Sequence, residues 1–317
     1  MFKTFAFTLA FLCAGILYGH GELLFSVPWG EDSASLTLHN EDESDIMGAA
    51  SFTIGEDGLI YVPESHRREI MVYSLAGELL DTIPVNIRIN HLAVDDSGHI
   101  FTRSDRGMVG VFSRKSKSKD TPVQLQYQLP FSPDIIEGYG QEIHLTGSAS
   151  DPSRGIGIHT MKGVTRQVFT LDKTGREVQA RKHDGIKETR GRPGNDGLHY
   201  RSRWHDHQTG IVEVYNEAGT LTGNFEVSLN EGRLGVFIFK GVDSDGNIFL
   251  ERERIVNRRA HLEIVVLDNE GNLLEILEIP NSYYSTVYKK THLHDGKIYQ
   301  MQTTPEGVVF SAWEVLQ

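Results

Sequence analysis

Apolar and polar positions alternate along most of the chain, in short runs rich in Val, Ile, Leu, Phe and Tyr that are broken by turn residues. Such runs predict β-strands, and the Gly-containing pairs between them predict hairpins. One phrase recurs: Asp57-Gly58-Leu59-Ile60-Tyr61, Ser97-Gly98-His99-Ile100-Phe101, Asp196-Gly197-Leu198-His199-Tyr200, Asp245-Gly246-Asn247-Ile248-Phe249 and Asp295-Gly296-Lys297-Ile298-Tyr299. A weaker copy covers Gly140 to Leu145. The glycines at 58, 98, 140, 197, 246 and 296 are spaced by 40, 42, 57, 49 and 50 residues. A second turn follows in most units, around Gly77, Gly175, Gly219 and Gly271, after the runs 70–73, 167–171, 211–215 and 263–267. In the second unit the polar run 114–120 takes its place as a longer loop.

Each unit thus reads as four strands in the order a, Gly turn, b, loop, c, Gly turn, d. Convincing amphipathic helices are absent. Six units of about 49 residues fill the chain from residue 22 onward, and four-stranded repeats of that length predict a β-propeller. The expected fold is therefore all-β, a six-bladed propeller forming a single domain over 22–317. The last unit has strands near 286–293, 297–302 and 307–315 but no d strand, while 22–27 is an orphan strand at the other end. The expectation is that 22–27 supplies the missing outer strand and closes the ring, which removes an open edge.

Ser51 to Val85 resembles an NHL-type repeat. That pattern runs from an apolar strand through Asp-x-x-Gly-x-Ile-Tyr-Val and a polar turn with Asn-x-Arg to Ile-x-Val-Phe-x-x-x-Gly. The first unit carries His66-Arg67-Arg68-Glu69-Ile70, and the fifth carries Val242 to Phe249, Asn257-Arg258-Arg259 and Val265 to Asp268. The similarity covers most of 50–280; units one and five match well, and units three and four depart from it. It implies a six-bladed propeller. It also implies that the arginines at the Arg68 and Arg259 positions have a structural role between blades. Because such repeats serve many functions, the resemblance does not give one.

The first residues read as a targeting segment. Lys3 is followed by an apolar run from Phe5 to Leu17, too short for a membrane span, and Gly19 and Gly21 suit cleavage after Gly21. The expectation is a signal peptide over 1–21 and a secreted or periplasmic protein. A lipoprotein signal at Cys13 is a poor match, since Phe11 and Leu12 precede it. No later stretch is long and apolar enough to span a bilayer. Cys13 is the only cysteine, so the cleaved chain would have no disulfide, thiolate metal site or cysteine nucleophile.

Composition narrows the functional classes. With 39% hydrophobic and 23% charged residues the chain is neither disordered nor collagen-like. A formal net charge of −12 argues against nucleic-acid coating. Against that acidic background, the windows 64–69, 103–107, 159–166, 201–209 and 251–259 hold 12 basic and 6 acidic residues. In a propeller these b–c segments gather on the face around the channel mouth. Arg106, Arg203, Arg252 and Arg254 are therefore candidates to bind an anionic ligand through their guanidinium forks. Counting seven residues back from each turn glycine places Ser51, His91, Pro133, Arg190, Phe239 and Lys289 where strand a starts near the axis. His91, Arg190 and Lys289 make that mouth cationic.

The other constellations are thinner. Trp204-His205-Asp206-His207 and His292-Leu293-His294-Asp295 each set two histidines at i and i+2, which share a face in a strand and could share a metal; two ligands do not make a site. Asp243-Ser-Asp245-Gly246 resembles half a calcium loop, but Arg254 occupies its twelfth position, and turn chemistry accounts for the aspartates. A metal-dependent hydrolase or lyase of the gluconolactonase kind is the enzyme alternative. Asn90, Asn195 and Asn230 lie near suitable connections, without a matching glutamate in the first blade. No Gly-x-Ser-x-Gly, Walker or His-Glu-x-x-His motif occurs. The reading is a monomeric, non-catalytic binding or scaffold module without cofactor, whose partner is an anionic ligand such as an acidic glycan, or a protein.

Overall fold

The computed structural model of the protein describes residues 21–39, 46–85, 88–94, 98–104, 109–113, 135–139, 142–146, 157–160, 169–171, 177–180, 192–194, 196–216 and 219–315. All its regular elements are strands. They are β1 (Gly21–Pro28), then β2 (Thr53–Ile54), β3 (Ile60–Glu64), β4 (Glu69–Tyr73) and β5 (Leu79–Pro84). Next come β6 (Ile89–Val94), β7 (His99–Ser104) and β8 (Val109–Ser113), followed by β9 (Ile135–Tyr139), β10 (Glu142–Thr146) and β11 (Gly157–Thr160). The short pair β12 (Phe169–Leu171) and β13 (Glu177–Ala180) precedes β14 (Arg192–Pro193), β15 (His199–Trp204), β16 (Thr209–Tyr215) and β17 (Leu221–Ser228). The chain continues with β18 (Arg233–Val242), β19 (Ile248–Val256), β20 (Arg259–Leu267) and β21 (Leu273–Ile279), and ends with β22 (Thr291–His294), β23 (Lys297–Thr303) and β24 (Gly307–Glu314).

The strands pair as successive antiparallel meanders. β2–β5, β14–β17 and β18–β21 are four-stranded and run in sequence order, while the last sheet has the order β1-β24-β23-β22. The turn glycines explain this regularity. Gly58, Gly98, Gly197, Gly246 and Gly296, and the second-turn Gly77, Gly219 and Gly271, all have φ between 69° and 87°, a region that costs a side-chain-bearing residue about 1–2 kcal/mol. The expected orphan strand is β1, and it pairs with β24 from Gly21↔Trp313 to Pro28↔Gly307. The expected leader lies, apart from Gly21, outside the described residues.

Hydrophobic cores lie between consecutive sheets rather than within them. One joins Tyr61, Ile70 and Val72 to Leu92, Val94 and Ile100; another joins Val212 and Val214 to Phe239, Leu250 and Val265. A third joins Phe249, Ile264 and Leu277 to Ile298 and Trp313. The fourth core packs the last sheet on the first, through Met301, Val308 and Phe310 against Phe52, Ile60, Val62 and Met71. First strands face one another across these joints, β2 lying against both β6 and β22, and β18 against β22. Meanders packed face to face, with first strands innermost, are blades of a β-propeller.

The third unit departs from the sequence expectation. Strand β10 pairs with β11, whereas β12, among the described residues, pairs with β13. The run 167–171 is therefore not the neighbour of strand b. The 57 residues between turn glycines 140 and 197, the longest such spacing, leave room for this additional strand. In the second unit three strands, β6–β8, are described, and the polar run 114–120 lies outside the described residues.

Two of the second-turn glycines hold neighbouring sheets together. A Cβ on Gly77 would come within 2.6 Å of the Phe25 side chain of β1, and a Cβ on Gly271 would meet the ring of Phe225 on β17. The outer strand of one sheet thus drops a phenylalanine onto the turn glycine of the next. Gly58, by contrast, has open space around it. Gly58→Ala should therefore cost only the conformational penalty, about 1 kcal/mol, whereas Gly77→Ala adds overpacking and should cost at least twice as much. Chemical denaturation of the two variants checks the difference; equal losses would show that the Phe25 contact contributes nothing.

Candidate functional site

The candidate site lies along the innermost strands β6, β14, β18 and β22 and the residues just before them. There the chain bulges: register slips between Ile89 and His91 on β6 and between Phe239 and Gly241 on β18, with Asn90 and Lys240 as the extra residues. Bulges re-aim side chains. Phe239, which counting back from Gly246 puts at the axis, is instead buried in the core between sheets. Lys240 turns toward the neighbouring first strand, where its Nζ donates to the Thr291 carbonyl at 3.0 Å and lies 3.5 Å from Glu251 Oε2. The Thr291 hydroxyl donates to the same carboxylate.

Two other cations are buried on or just before first strands. Lys289, just before β22, is only 4% exposed. Arg192 of β14 is also buried, and its Nη1 donates to the Phe239 carbonyl at 2.7 Å. The fields of the two lysines meet at His292. Burial, then the charges of Lys289 and Lys240, hold its imidazole well below the usual histidine range. His91 is 1% exposed and lies 5.2 Å, ring to ring, from Tyr288 at a tilt of 35°. Neutral groups knit the junction. Ser51 donates to the Asn90 carbonyl at 2.7 Å, Ser65 donates to the Ile89 carbonyl, and the Tyr288 N–H donates to Ala50 at 2.7 Å.

Of the residues expected at the axis, the structure brings together Ser51, His91 and Lys289, all buried. Arg190 and Pro133 lie outside the described residues, as does Arg106 among the b–c arginines. Lys240 and Arg192, which the sequence count missed by one and two positions, join the cluster.

The remaining arginines have a different environment from the one expected. Arg203, Arg252 and Arg254 belong to strands β15 and β19, not to loops, and each meets a glutamate. Arg252 and Glu263, both 4% exposed, pair at 2.7 Å across β19 and β20. Arg254 contacts Glu263 at 2.6 Å, Glu231 at 3.1 Å and Glu278 at 3.5 Å. The Glu263 hydrogen bond, more than any other influence, raises the Arg254 pKa. Arg203 pairs with Glu213 at 2.9 Å. Burial would raise the Glu213 carboxyl, but hydrogen bonds from Arg203 and Tyr215 and the nearby arginine charges hold it below the usual range. These three guanidinium groups hold the sheet together, and their charge is already answered.

The histidine pairs are not alike. His205 and His207 sit in an exposed turn beside exposed Trp204, where Asp206 accepts from the Gln208 and Thr209 N–H groups. They are not on a strand face. His292 and His294 share β22, with His292 edge-on to Phe52 at 6.3 Å and His294 3.5 Å from Asp295. Among the described residues no three His, Cys, Asp or Glu side chains group closely enough to hold a metal ion. Asn90 is half-buried at the junction and Asn230 is exposed; Asn195 lies outside the described residues. Asp243 accepts from the Asp245 and Asn247 N–H groups, a turn role. No helix among the described residues is long and apolar enough to cross a membrane.

No family model matches the sequence, and no curated protein matches it. Among solved structures, the chain is similar to virginiamycin B lyase from Staphylococcus aureus at 14% identity, covering 89% of this chain and 99% of that one with a TM-score of 0.45. It is similar to a gluconolactonase from Xanthomonas campestris at 12% identity, covering 92% and 98% with a TM-score of 0.45. It is also similar to the WD40 β-propeller domain of Doa1 at 8% identity, covering 93% and 98% with a TM-score of 0.44.

Proposed function

We propose that the protein is an exported, non-catalytic recognition module: a six-bladed, NHL-like propeller closed by β1 that takes an anionic group at its axial mouth. The observation that carries the reading is the burial of Lys240, Lys289 and Arg192 on first strands of different sheets or just before one, with both lysines acting on His292 and Arg192 bonded to the Phe239 carbonyl next to Lys240. Cations held on rigid strands, in a setting less polar than water, attract an anion more strongly than exposed lysines do. Arg203, Arg252 and Arg254 are set aside from the ligand set because they sit on the second strands β15 and β19 and pair with glutamates there; Lys240 also meets a carboxylate, Glu251, but from a first strand. Arg190 remains a candidate by register, and Arg106 by its place in a b–c segment.

The test is calorimetric titration of the purified protein with tripolyphosphate and citrate, alongside metal analysis and a screen against lactones and esters. The expected result is polyanion binding that weakens as salt rises from 50 to 500 mM. Lys240→Met and Lys289→Met should each lower affinity at least fivefold. Stoichiometric divalent metal with turnover would replace this reading by the hydrolase or lyase alternative.

A further inference from the structure

Resting on that reading of the axial mouth, the geometry points to its ligand class: a linear glycan bearing uronate carboxylates, laid along the connection between β21 and β22. This connection, 280–290, runs inward to the axis. At its start the Gln300 side chain donates to the Pro280 carbonyl, and the Asn281 side chain donates to the Ala260 carbonyl. Further along, Tyr284 N–H donates to Thr303, Thr286 N–H to Ile46, and Tyr288 N–H to Ala50, at 2.7–3.1 Å. The backbone is thus held at 284, 286 and 288, by the last sheet on one side and by the segment before β2 on the other.

Two aromatic rings stand out from this fixed track. Tyr284 is 40% exposed and Tyr288 is 42% exposed, whereas Ser285 and Lys289 between and beside them are buried. An exposed tyrosine on a fixed backbone offers a flat apolar face at little entropic cost, with a hydroxyl at its edge. The two Cα atoms are four residues apart, at most about 14 Å, with a ring on each. Two separate platforms suit linked sugar units rather than a single one. Tyr288 is the inner platform, its ring beside His91 and its backbone leading directly into Lys289. A sugar stacked there brings a carboxylate to the cationic junction, and the part-buried Ser65 and Asn90 offer partners for hydroxyls. A compact inorganic anion would use the cations and leave both tyrosines idle. A neutral glycan would use the tyrosines and leave the cations idle. An acidic glycan uses both.

Calorimetry with a panel of uronate tetramers (galacturonate, mannuronate and guluronate) tests the assignment, with methyl-esterified galacturonate tetramer and tripolyphosphate as controls. At least one uronate tetramer should bind, and more tightly than the esterified one. Tyr288→Ala should weaken it about tenfold, with a much smaller effect on tripolyphosphate binding. Tyr284→Ala should weaken the tetramer but not the corresponding dimer. Tripolyphosphate binding with no uronate binding, or with uronate binding indifferent to both tyrosine variants, overturns the glycan assignment and leaves the anion site standing. Equal binding of free and esterified tetramers overturns the role of the cations. If neither tripolyphosphate nor any tetramer binds, the reading of the mouth falls as well.

Discussion

Replacing Glu263 with alanine is expected to destabilise the protein by about 3–5 kcal/mol, the cost of removing one partner from a buried ion pair. Its carboxylate divides between two guanidinium groups, with Oε2 on Arg252 and Oε1 on Arg254. Arg254 would keep Glu231 and Glu278 and is partly solvated. Arg252, almost fully buried, would lose its carboxylate partner inside the sheet stack, and that residue sets the size of the loss. At roughly 2–4 °C per kcal/mol, the melting temperature should fall by about 10 °C. Replacing both partners, Arg252→Met with Glu263→Leu, removes the stranded charge and should recover most of the loss. Thermal melts of the single and double variants decide the matter. A single variant that melts within 2 °C of the parent would mean that water reaches Arg252 readily.

The second large effect is expected from removing β1. Deleting 21–28 strips an entire strand from β24 and takes away Val27 and Phe25. The Phe25 ring stacks on Phe310 at 4.8 Å and lies 5.7 Å from Tyr73 of the first sheet. The buried Val27 and half-buried Phe25 side chains together contribute about 3–5 kcal/mol, and the deletion also opens the edge of β24. A fall of more than about 10 °C in melting temperature is expected, together with concentration-dependent association through the new edge. Phe25→Ala is the milder companion and should give a smaller loss without association. An unchanged melting curve for the deletion would remove β1 from any role in holding the last sheet to the first.

Most of the fold could be read from turn glycines, because their left-handed backbone excludes nearly every other residue and so marks each hairpin in the sequence. Strand β1 was legible for a related reason: an outer strand was missing from the last unit and one was left over at the start. The pairing of Arg252 with Glu263 was also within reach. Asn257 and Arg258 form a two-residue turn with φ of 50° and 66°, and counting back from it sets Arg254 opposite His261 and Arg252 opposite Glu263. The composition windows gathered the arginines but ignored the strand across from them. Lys240 was hidden for a different reason. A bulge adds a residue that no period counts, so a fixed offset from Gly246 lands on Phe239. Tyr284 and Tyr288 lie in an irregular connection whose shape is set by hydrogen bonds to Thr303, Ile46 and Ala50. Those partners are distant in sequence, and no local pattern announces them.

The pairing of β1 with β24 also sets an order of events. Strand β1 bonds to β24, with Gly21 opposite Trp313, so it stays without its partner until all the strands between them have emerged. Each of the other four-stranded meanders can form from contiguous residues, and contacts between neighbours in sequence form quickly. The final joint instead closes a loop almost as long as the chain. The slow phase of folding should therefore be this single closure. Until it happens, β1 and β24 both present bare backbone edges, the state in which two chains in close company would exchange first strands and emerge as a swapped dimer.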